Sequence, residues 1–227
     1  MRENIVSVDE IREIVLADAV LIVAFSFTRI GGIVEFFRNP FALLAVLPIM
    51  AIGVTFSFIL HELMHKFTAQ HYGAIAGFKT SQTGLWITLI TGMAGFLLGI
   101  PGATMIYVHS FTRKENGIVS LAGPLTNFAI FGICMVAFAV LSPPQGSFIA
   151  QAISFTIYIN LFLAFFNMLP ITPLDGSKVL AWDKNVYIAT EGALFLLIWY
   201  FQVLPLGSML FLLIMAYLLS SFYRHIL

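Results

Sequence analysis

Two histidines and a glutamate stand together at His61, Glu62 and His65, in the pattern His-Glu-x-x-His. Residues four apart lie on the same face of a helix, with Cβ atoms about 5–6 Å apart. Two imidazoles at that spacing can bind one zinc ion, and a carboxylate beside them can take a proton from a water that the metal activates. The pattern predicts a zinc-dependent hydrolase with His61 and His65 as ligands and Glu62 as the catalytic base.

The residues before this pattern decide between a metal site and an ordinary polar helix surface. A His-Glu-x-x-His string on a soluble helix can simply face solvent. Here the preceding run, Ala42–Leu60, is apolar. Ionisable residues at the end of a membrane-spanning run are costly to bury and are usually functional. This context favours the metal site.

A third zinc ligand is needed, because catalytic zinc sites usually have three protein ligands. His71 has the spacing of the third histidine in one class of soluble zinc proteases. Those sites have a glycine at the position of Thr68, where the chain must turn back. A helix that continued through Thr68 would place His71 on a different face from His61. His71 is therefore the less favoured candidate.

Asp175 is the favoured third ligand. It follows Pro170 and Pro173, which stop a helix, and Gly176 after it allows a tight turn. The alternative is that Asp175 only caps a helix beginning near Ser177, which is a common role for aspartate. The missing third ligand of the histidine pair favours coordination over capping.

The composition restricts the class of protein. Hydrophobic residues make up 60% of the chain and charged residues 10%, against about 25% charged in a typical soluble domain. Lysine plus arginine and aspartate plus glutamate are equal at 11 each, and no basic tract indicates a nucleic-acid partner. The single cysteine, Cys134, excludes a disulfide framework and a thiolate zinc site. We expect a protein embedded in the lipid bilayer, without a cleaved signal peptide.

Apolar stretches near the length needed to cross a bilayer recur along the chain. Proline and glycine at their ends mark short connections between antiparallel helices. The sequence predicts one membrane domain over residues 1–227 and no separate soluble domain. Glu191, which follows Thr190, is interpreted as an acid at a helix start. The predicted spans are Ile14–Val34, Phe41–Lys66, Ile118–Leu141, Ile149–Leu169, Ile188–Leu204 and Ser208–Phe222.

The segment Gly84–His109 is apolar but is interrupted by glycines and by Pro101. Its last part, Ala103–Val108, fits a strand or a turn as well as a helix. If this segment re-enters and leaves on one side, six spans remain and both termini are cytoplasmic. The positive-inside rule favours this topology, because it places most basic residues in the cytoplasm: Arg2, Arg12, Lys66, Lys79, Arg113, Lys114, Lys178, Lys184 and Arg224.

The sequence resembles the site-2 proteases, which are membrane-embedded zinc metalloproteases (peptidase family M50). The resemblance rests on three elements in order: His61 to His65, Ala122-Gly123-Pro124-Leu125-Thr126-Asn127, and Asn167-x2-Pro170-x4-Asp175-Gly176. These core motifs lie within residues 60–176, about half of the chain. The expected fold is an all-α polytopic membrane protein of about six transmembrane helices, with a re-entrant or partly β segment after the second.

The resemblance also implies residue roles and partners. It implies one zinc ion held by His61, His65 and Asp175, with Glu62 as base and Asn167 positioning the substrate or polarising its carbonyl. It implies cleavage of transmembrane protein substrates in a prokaryotic plasma membrane. Family members often have strands after the zinc helix that can pair with an extended substrate, and the glycine-rich segment here makes such a groove less expected. Since no regulatory domain is recognised, a separate regulatory protein is the expected source of control.

Two other functions use similar residues. A zinc transporter could use the same histidines as a transit site, but it would need further ligands along a path, and the other spans contain few ionisable residues. A prenyl-protein processing protease can share His-Glu-x-x-His. The element from Asn167 to Gly176 favours the site-2 protease family over it.

Overall fold

The computed structural model describes residues 6–97, 101–107 and 110–214. Helices dominate this part of the chain, and one two-stranded sheet interrupts them. The elements in chain order are α1 Val8–Ile30, α2 Ile33–Arg38, α3 Pro40–His71, β1 Ile75–Thr80, α4 Gln82–Met93, β2 Gly102–Tyr107, α5 Arg113–Leu141, α6 Phe148–Asn167, α7 Asp175–Trp182 and α8 Lys184–Tyr200.

Helix boundaries follow local sequence signals. The Ser147 side chain accepts a hydrogen bond from the backbone N–H of Ala150 at the start of α6. Thr112 and Glu115 form a reciprocal capping box at the start of α5. Gly31 ends α1 with φ at +94°, a left-handed conformation that glycine adopts without steric cost. These signals fix where the long apolar helices begin and end.

Five of the six predicted spans correspond to helices α1, α3, α5, α6 and α8. Within the described part of the chain, three of these helices are long and apolar enough to cross a membrane. They are α3, α5 and α6, with 32, 29 and 20 residues. Helix α8 is shorter, at 17 residues. Residues 206–214 are helical, but most of the predicted sixth span, 208–222, lies outside the described residues.

The interpretation of Glu191 as an acid at a helix start is wrong. Helix α8 begins at Lys184, and Asp183 before it accepts hydrogen bonds from the backbone N–H groups of Asn185 and Val186. Glu191 therefore lies two turns inside the helix, where it is buried. The sequence did not show that Asp183 provides a better cap further upstream.

The glycine-rich segment after α3 contains both strand and helix. Strands β1 and β2 pair antiparallel, with Phe78 opposite Thr104 and Thr80 opposite Gly102. The backbone N–H of Ser81 donates to the Pro101 carbonyl at 2.8 Å. The chain that leaves the sheet through α4 therefore returns to the same end of it. For Ala103–Val108 the sequence left strand, turn and helix open; Ala103 to Tyr107 are part of β2, and Val108 lies outside the described residues.

The helices pack around two main apolar cores, and a smaller third cluster joins α3, β1 and α5. One core joins α1, α3 and α6 through buried residues such as Leu21, Met50 and Ile159. The other joins α6, α7 and α8 through residues such as Phe165 and Ile198. Helix α5 packs against α3, α6 and α7, so it connects the two cores.

A buried ion pair fixes the sheet and the first helix to α3. The Lys66 ammonium donates to Glu10 Oε2 at 2.5 Å, and both side chains are almost fully buried. Glu10 Oε1 also accepts the backbone N–H of Phe78 in β1 at 3.0 Å. One carboxylate thus joins α1, α3 and β1. Removing either partner of such a buried pair leaves an uncompensated charge, which typically costs 3–5 kcal/mol.

We expect Lys66→Met to destabilise the protein by about 3 kcal/mol, because it leaves the Glu10 carboxylate buried without a counter-charge. The double variant Glu10→Gln, Lys66→Met should recover much of this loss, since the glutamine carbonyl still accepts the Phe78 N–H. Unfolding of the purified variants in detergent measures both effects. Equal stability of Lys66→Met and the parent would contradict the role given to this pair.

Candidate metal centre

His61 and His65 face the same point from one helix. Helix α3 is continuous from Pro40 to His71, so the spacing of four places the two imidazoles one turn apart on one face. Their Nε2 atoms lie 3.0 Å apart. Both side chains are buried. The structure therefore brings together the two histidines that the sequence predicted as ligands.

Asp175 is brought to the same point by the break after α6. It is the first residue of α7, and its Oδ2 lies 3.5 Å from His61 Nε2 and 3.1 Å from His65 Nε2. Gly176 makes this approach possible, because a Cβ on it would lie 1.9 Å from the Met168 carbonyl oxygen. His61, His65 and Asp175 form a buried group that could hold a metal ion.

The other ring nitrogen of His61 contacts a buried amide. His61 Nδ1 lies 2.6 Å from Asn127 Oδ1. The Asn127 amide nitrogen donates to the Ser57 carbonyl at 3.0 Å and to Asn160 Oδ1 at 2.9 Å, so Asn127 Oδ1 must be the atom that faces the ring. An acceptor opposite Nδ1 places the ring proton there. His61 Nε2 is left with its lone pair towards Asp175 and His65.

The amide chain ends on backbone carbonyls, which fixes its direction. The Asn160 amide nitrogen donates to the Thr156 carbonyl at 2.8 Å and to Ser57 Oγ at 2.7 Å. Ser57 Oγ donates in turn to the Gly53 carbonyl at 2.6 Å. Because a carbonyl oxygen can only accept, neither amide can be reversed without losing a hydrogen bond. The network therefore determines which nitrogen of His61 is protonated.

His65 is oriented in the same way by the backbone of α5. Its Nδ1 donates to the Val119 carbonyl at 2.8 Å, so its Nε2 also carries a lone pair. With both rings neutral, two imidazole lone pairs and the Asp175 carboxylate oxygen then face one another. Such an arrangement is repulsive unless a cation lies among the three atoms. The donor set, two imidazoles and one carboxylate, is one that catalytic zinc sites use.

Gly123 leaves the space that such a cation needs. A Cβ on Gly123 would lie 2.4 Å from His65 Nε2 and 2.6 Å from His61 Nε2. Any side chain there would fill the point on which the nitrogens converge. Helix α5 can therefore pass close to both histidines only with glycine at this position, and this explains the glycine in the motif Ala122 to Asn127.

The charge of Asp175 suits a cation ligand. Burial alone would raise the pKa of Asp175, but positive charge at His65 and His61 outweighs burial and holds that pKa below its ordinary value, as a metal ion between these residues would. The carboxylate is therefore ionised at neutral pH. Its second oxygen, Oδ1, lies 3.8 Å from Lys178 Nζ, which leaves Oδ2 directed at the histidines.

Glu62 and Asn167 lie beside this group in one cavity of about 90 Å³. The Glu62 carboxylate accepts hydrogen bonds from the backbone N–H of Thr104 at 3.0 Å and from its hydroxyl at 2.8 Å. The Asn167 amide donates to the Leu163 carbonyl at 3.0 Å. A cavity of this size beside these polar groups can hold several water molecules. It therefore has room for the water that a hydrolysis would consume.

His71, the alternative ligand, lies away from the group. It is the last residue of α3, it is exposed, and its ring packs against Tyr72. Because α3 continues through Thr68 without a turn, His71 cannot swing back to His61. The sequence-based preference for Asp175 over His71 agrees with this placement.

Several residues at the site were missed from the sequence. Asn160 and Ser57 support His61 through Asn127, Thr104 contacts Glu62, and Lys178 contacts Asp175. A signal for Asn160 was present, since an asparagine inside an apolar helix is costly and usually has a partner. Thr104 had no such signal, because its role depends on the pairing of β2 with β1.

Comparison with known proteins gives several related sequences. The chain is 39% identical over 178 residues to "Putative zinc metalloprotease MJ0611" of Methanocaldococcus jannaschii, covering 78% of this chain and 87% of that protein. It is 28% identical over 188 residues to "Putative zinc metalloprotease Rip2" of Mycobacterium tuberculosis, covering 74% and 71%. It is 27% identical over 152 residues to "Putative zinc metalloprotease YwhC" of Bacillus subtilis, covering 60% and 69%. No family model and no solved structure matches the chain.

We expect Asn127→Leu to weaken zinc binding by roughly 10- to 100-fold, the usual effect of losing the hydrogen-bond partner of a ligating histidine. The leucine removes the acceptor that keeps the proton on His61 Nδ1. Competition with a zinc-selective chelator on the purified protein measures this change. Thr126→Val is the matched control, because the Thr126 hydroxyl donates only to the Ala122 carbonyl. Unchanged affinity in Asn127→Leu would contradict the role of the amide.

Proposed function

Because this chain belongs to the site-2 protease family of zinc metalloproteases, we propose that it is an intramembrane endopeptidase. It hydrolyses peptide bonds within or near the transmembrane segments of membrane-protein substrates. The observation that carries the proposal is the convergence of His61, His65 and Asp175. Two of these residues lie on α3, a helix long and apolar enough to cross a membrane.

His61, His65 and Asp175 are the proposed zinc ligands. In support, both Nε2 atoms and Asp175 Oδ2 converge, and the opposite ring nitrogens are engaged by acceptors. A zinc ion in this position supplies Lewis acidity, which polarises a peptide carbonyl and lowers the pKa of water. These three groups would hold the ion at the wall of the cavity.

Glu62 is the proposed catalytic base. Its carboxylate lines the same cavity as the three ligands, so it can reach a water molecule bound there. It takes a proton from that water as the water attacks the peptide carbonyl. It then delivers the proton to the leaving amine, which completes the hydrolysis.

Asn167 is proposed to position the substrate. Its amide nitrogen uses one hydrogen for the Leu163 carbonyl. Its second N–H has no protein partner among the residues that the structure describes. Since Asn167 lines the cavity, this N–H can donate to the carbonyl oxygen of the scissile peptide as negative charge develops on it.

The substrate must present extended backbone, because the carbonyl and N–H groups of a helix are already hydrogen-bonded to each other. Strand β2 offers a place for such a segment. Gly102, Thr104 and Ile106 line the cavity, and the N–H of Thr104 points away from β1. A peptide that added to this edge would lie beside the proposed zinc ion.

The proposed topology has six spans, with the segment from β1 to β2 re-entering on one side. The return of the chain to the same end of the sheet supports re-entry. This topology leaves both termini in the cytoplasm and satisfies the positive-inside rule. Relatives from an archaeon and from bacteria support placement in a prokaryotic plasma membrane. We also propose that a separate regulatory protein controls the activity of this protease.

We expect Asp175→Ala to lose bound zinc, because two imidazoles alone make an incomplete site. His71→Ala is the matched control and should retain one zinc per chain. Elemental analysis of the purified variants measures the difference. A zinc content that follows His71 instead of Asp175 would overturn the proposed ligand set.

We expect Glu62→Gln to retain zinc and to cleave at least 100-fold more slowly, because the amide cannot accept the proton. The assay uses a fluorescently labelled single-span polypeptide with glycine and asparagine at the centre of its span. A chelator should stop cleavage by the parent, and added zinc should restore it. Cleavage by Glu62→Gln at the parent rate would reject Glu62 as the base.

The same preparation separates the rival functions. A transporter would move zinc into vesicles that contain the reconstituted protein, and Glu62→Gln would leave that transport intact. A prenyl-protein protease would cleave a prenylated carboxyl-terminal peptide in preference to the single-span polypeptide. Cleavage of the single-span polypeptide without zinc uptake is the result expected here.

A further inference from the structure

One residue outside the sequence motifs contacts the proposed base directly. Thr104, in the middle of β2, makes two contacts with the Glu62 carboxylate: its N–H lies 3.0 Å and its Oγ1 2.8 Å from Oε2. Its Oγ1 also lies 3.1 Å from the Glu62 backbone carbonyl. Thr104 therefore contacts both the side chain and the backbone of the residue that follows His61.

The pairing of the strands explains why Thr104 faces Glu62. Thr104 lies opposite Phe78 in the sheet. The N–H of Phe78 donates to Glu10 on α1, and the N–H of Thr104 donates to Glu62 on α3. The two residues therefore form a pair whose N–H groups point outward, away from each other. Glu62 occupies the outer edge of β2.

We infer that Thr104 is a positioning residue that holds the Glu62 carboxylate in the cavity through its hydroxyl. This inference rests on the proposed role of Glu62 as base. A glutamate side chain has three rotatable bonds, and a base must be within hydrogen-bond reach of the proton that it takes. Threonine is stiff at χ1, so its hydroxyl is a well-fixed anchor for a mobile carboxylate.

The hydroxyl matters more than the N–H during the reaction. A substrate segment that added to β2 would compete for the Thr104 N–H, since that group lies on the open edge. The Thr104 hydroxyl is a side-chain donor and remains available to Glu62 when the edge is occupied. Removing the hydroxyl therefore tests the inference without removing the backbone donor.

The other edge of the sheet provides a matched control. The Thr80 N–H donates to Glu13 Oε2 at 2.9 Å, and the Thr80 hydroxyl contacts the same oxygen. This pair has the same chemistry and lies in the same sheet. Glu13 is on α1 and is outside the cavity that contains Glu62. Thr80→Val thus reproduces the loss of a hydroxyl–carboxylate contact away from the proposed base.

The experiment measures kcat, KM and zinc content for full-length variants, with the labelled single-span polypeptide as substrate. We expect Thr104→Val to lower kcat about tenfold, since a hydrogen bond to a charged group is lost. KM and zinc content should stay within about twofold of the parent. The hydrogen bonds of the Thr104 side chain are to Glu62 and not to the proposed zinc ligands. Thr104→Ser should keep most of kcat, and Thr80→Val should leave kcat unchanged.

The comparison of Thr104→Ser with Thr104→Ala covers the case in which Thr104→Val does not fold, because both replacements are smaller than threonine and differ only by the hydroxyl. Equal kcat for these two, or parent kcat for Thr104→Val, overturns the inference and leaves the proposed function standing. An equal loss in Thr80→Val and Thr104→Val also overturns it, since the effect would then belong to the sheet. Full activity of Glu62→Gln, or a zinc-loaded parent that does not cleave, overturns the proposed function as well.

Discussion

Three atoms with lone pairs meet at one point inside this protein, and they repel one another unless a cation lies among them. The Nε2 atoms of His61 and His65 are 3.0 Å apart, and Asp175 Oδ2 lies 3.1 and 3.5 Å from them. The rings cannot turn away, because Asn127 and the Val119 carbonyl hold their Nδ1 atoms. A cation turns this repulsion into attraction. A metal ion at this point would therefore hold helices α3, α5 and α7 together.

The apolar surroundings require the polar groups at this site to have hydrogen-bond partners within the protein. Polar groups in lipid or in a dry core must find partners inside the protein, because an unpaired group costs several kcal/mol. Asn127, Asn160 and Ser57 satisfy one another and end on backbone carbonyls. Glu191 differs, since both of its carboxylate oxygens are buried without a partner among the described residues. Complete hydrogen bonding at the histidines is thus a property of the site and not of every buried polar group.

The sequence located the proposed ligands and base, but it did not reveal most of the residues that contact them. The spacing of His61 and His65 and the break before Asp175 were readable, because helix periodicity and proline have fixed local consequences. Most helix positions were also readable from apolar length. The partners of Asn127 and Glu62 were not, since Asn160 and Thr104 are distant in sequence from the groups they contact. Their roles depend on how α6 packs against α3 and how β2 pairs with β1.

In the small sheet, one hydrogen bond both stabilises a strand and contacts the proposed base. A two-stranded sheet is only marginally stable alone, and here carboxylates of neighbouring helices accept hydrogen bonds from three of its outer N–H groups. Glu10 and Glu13 on α1 accept from β1, whereas Glu62 on α3 accepts from β2. The contact that stabilises the edge of β2 is therefore made by the proposed base. If a substrate adds to that edge as proposed, it would contact Glu62, so binding of an extended segment and placement of the proposed base would be coupled.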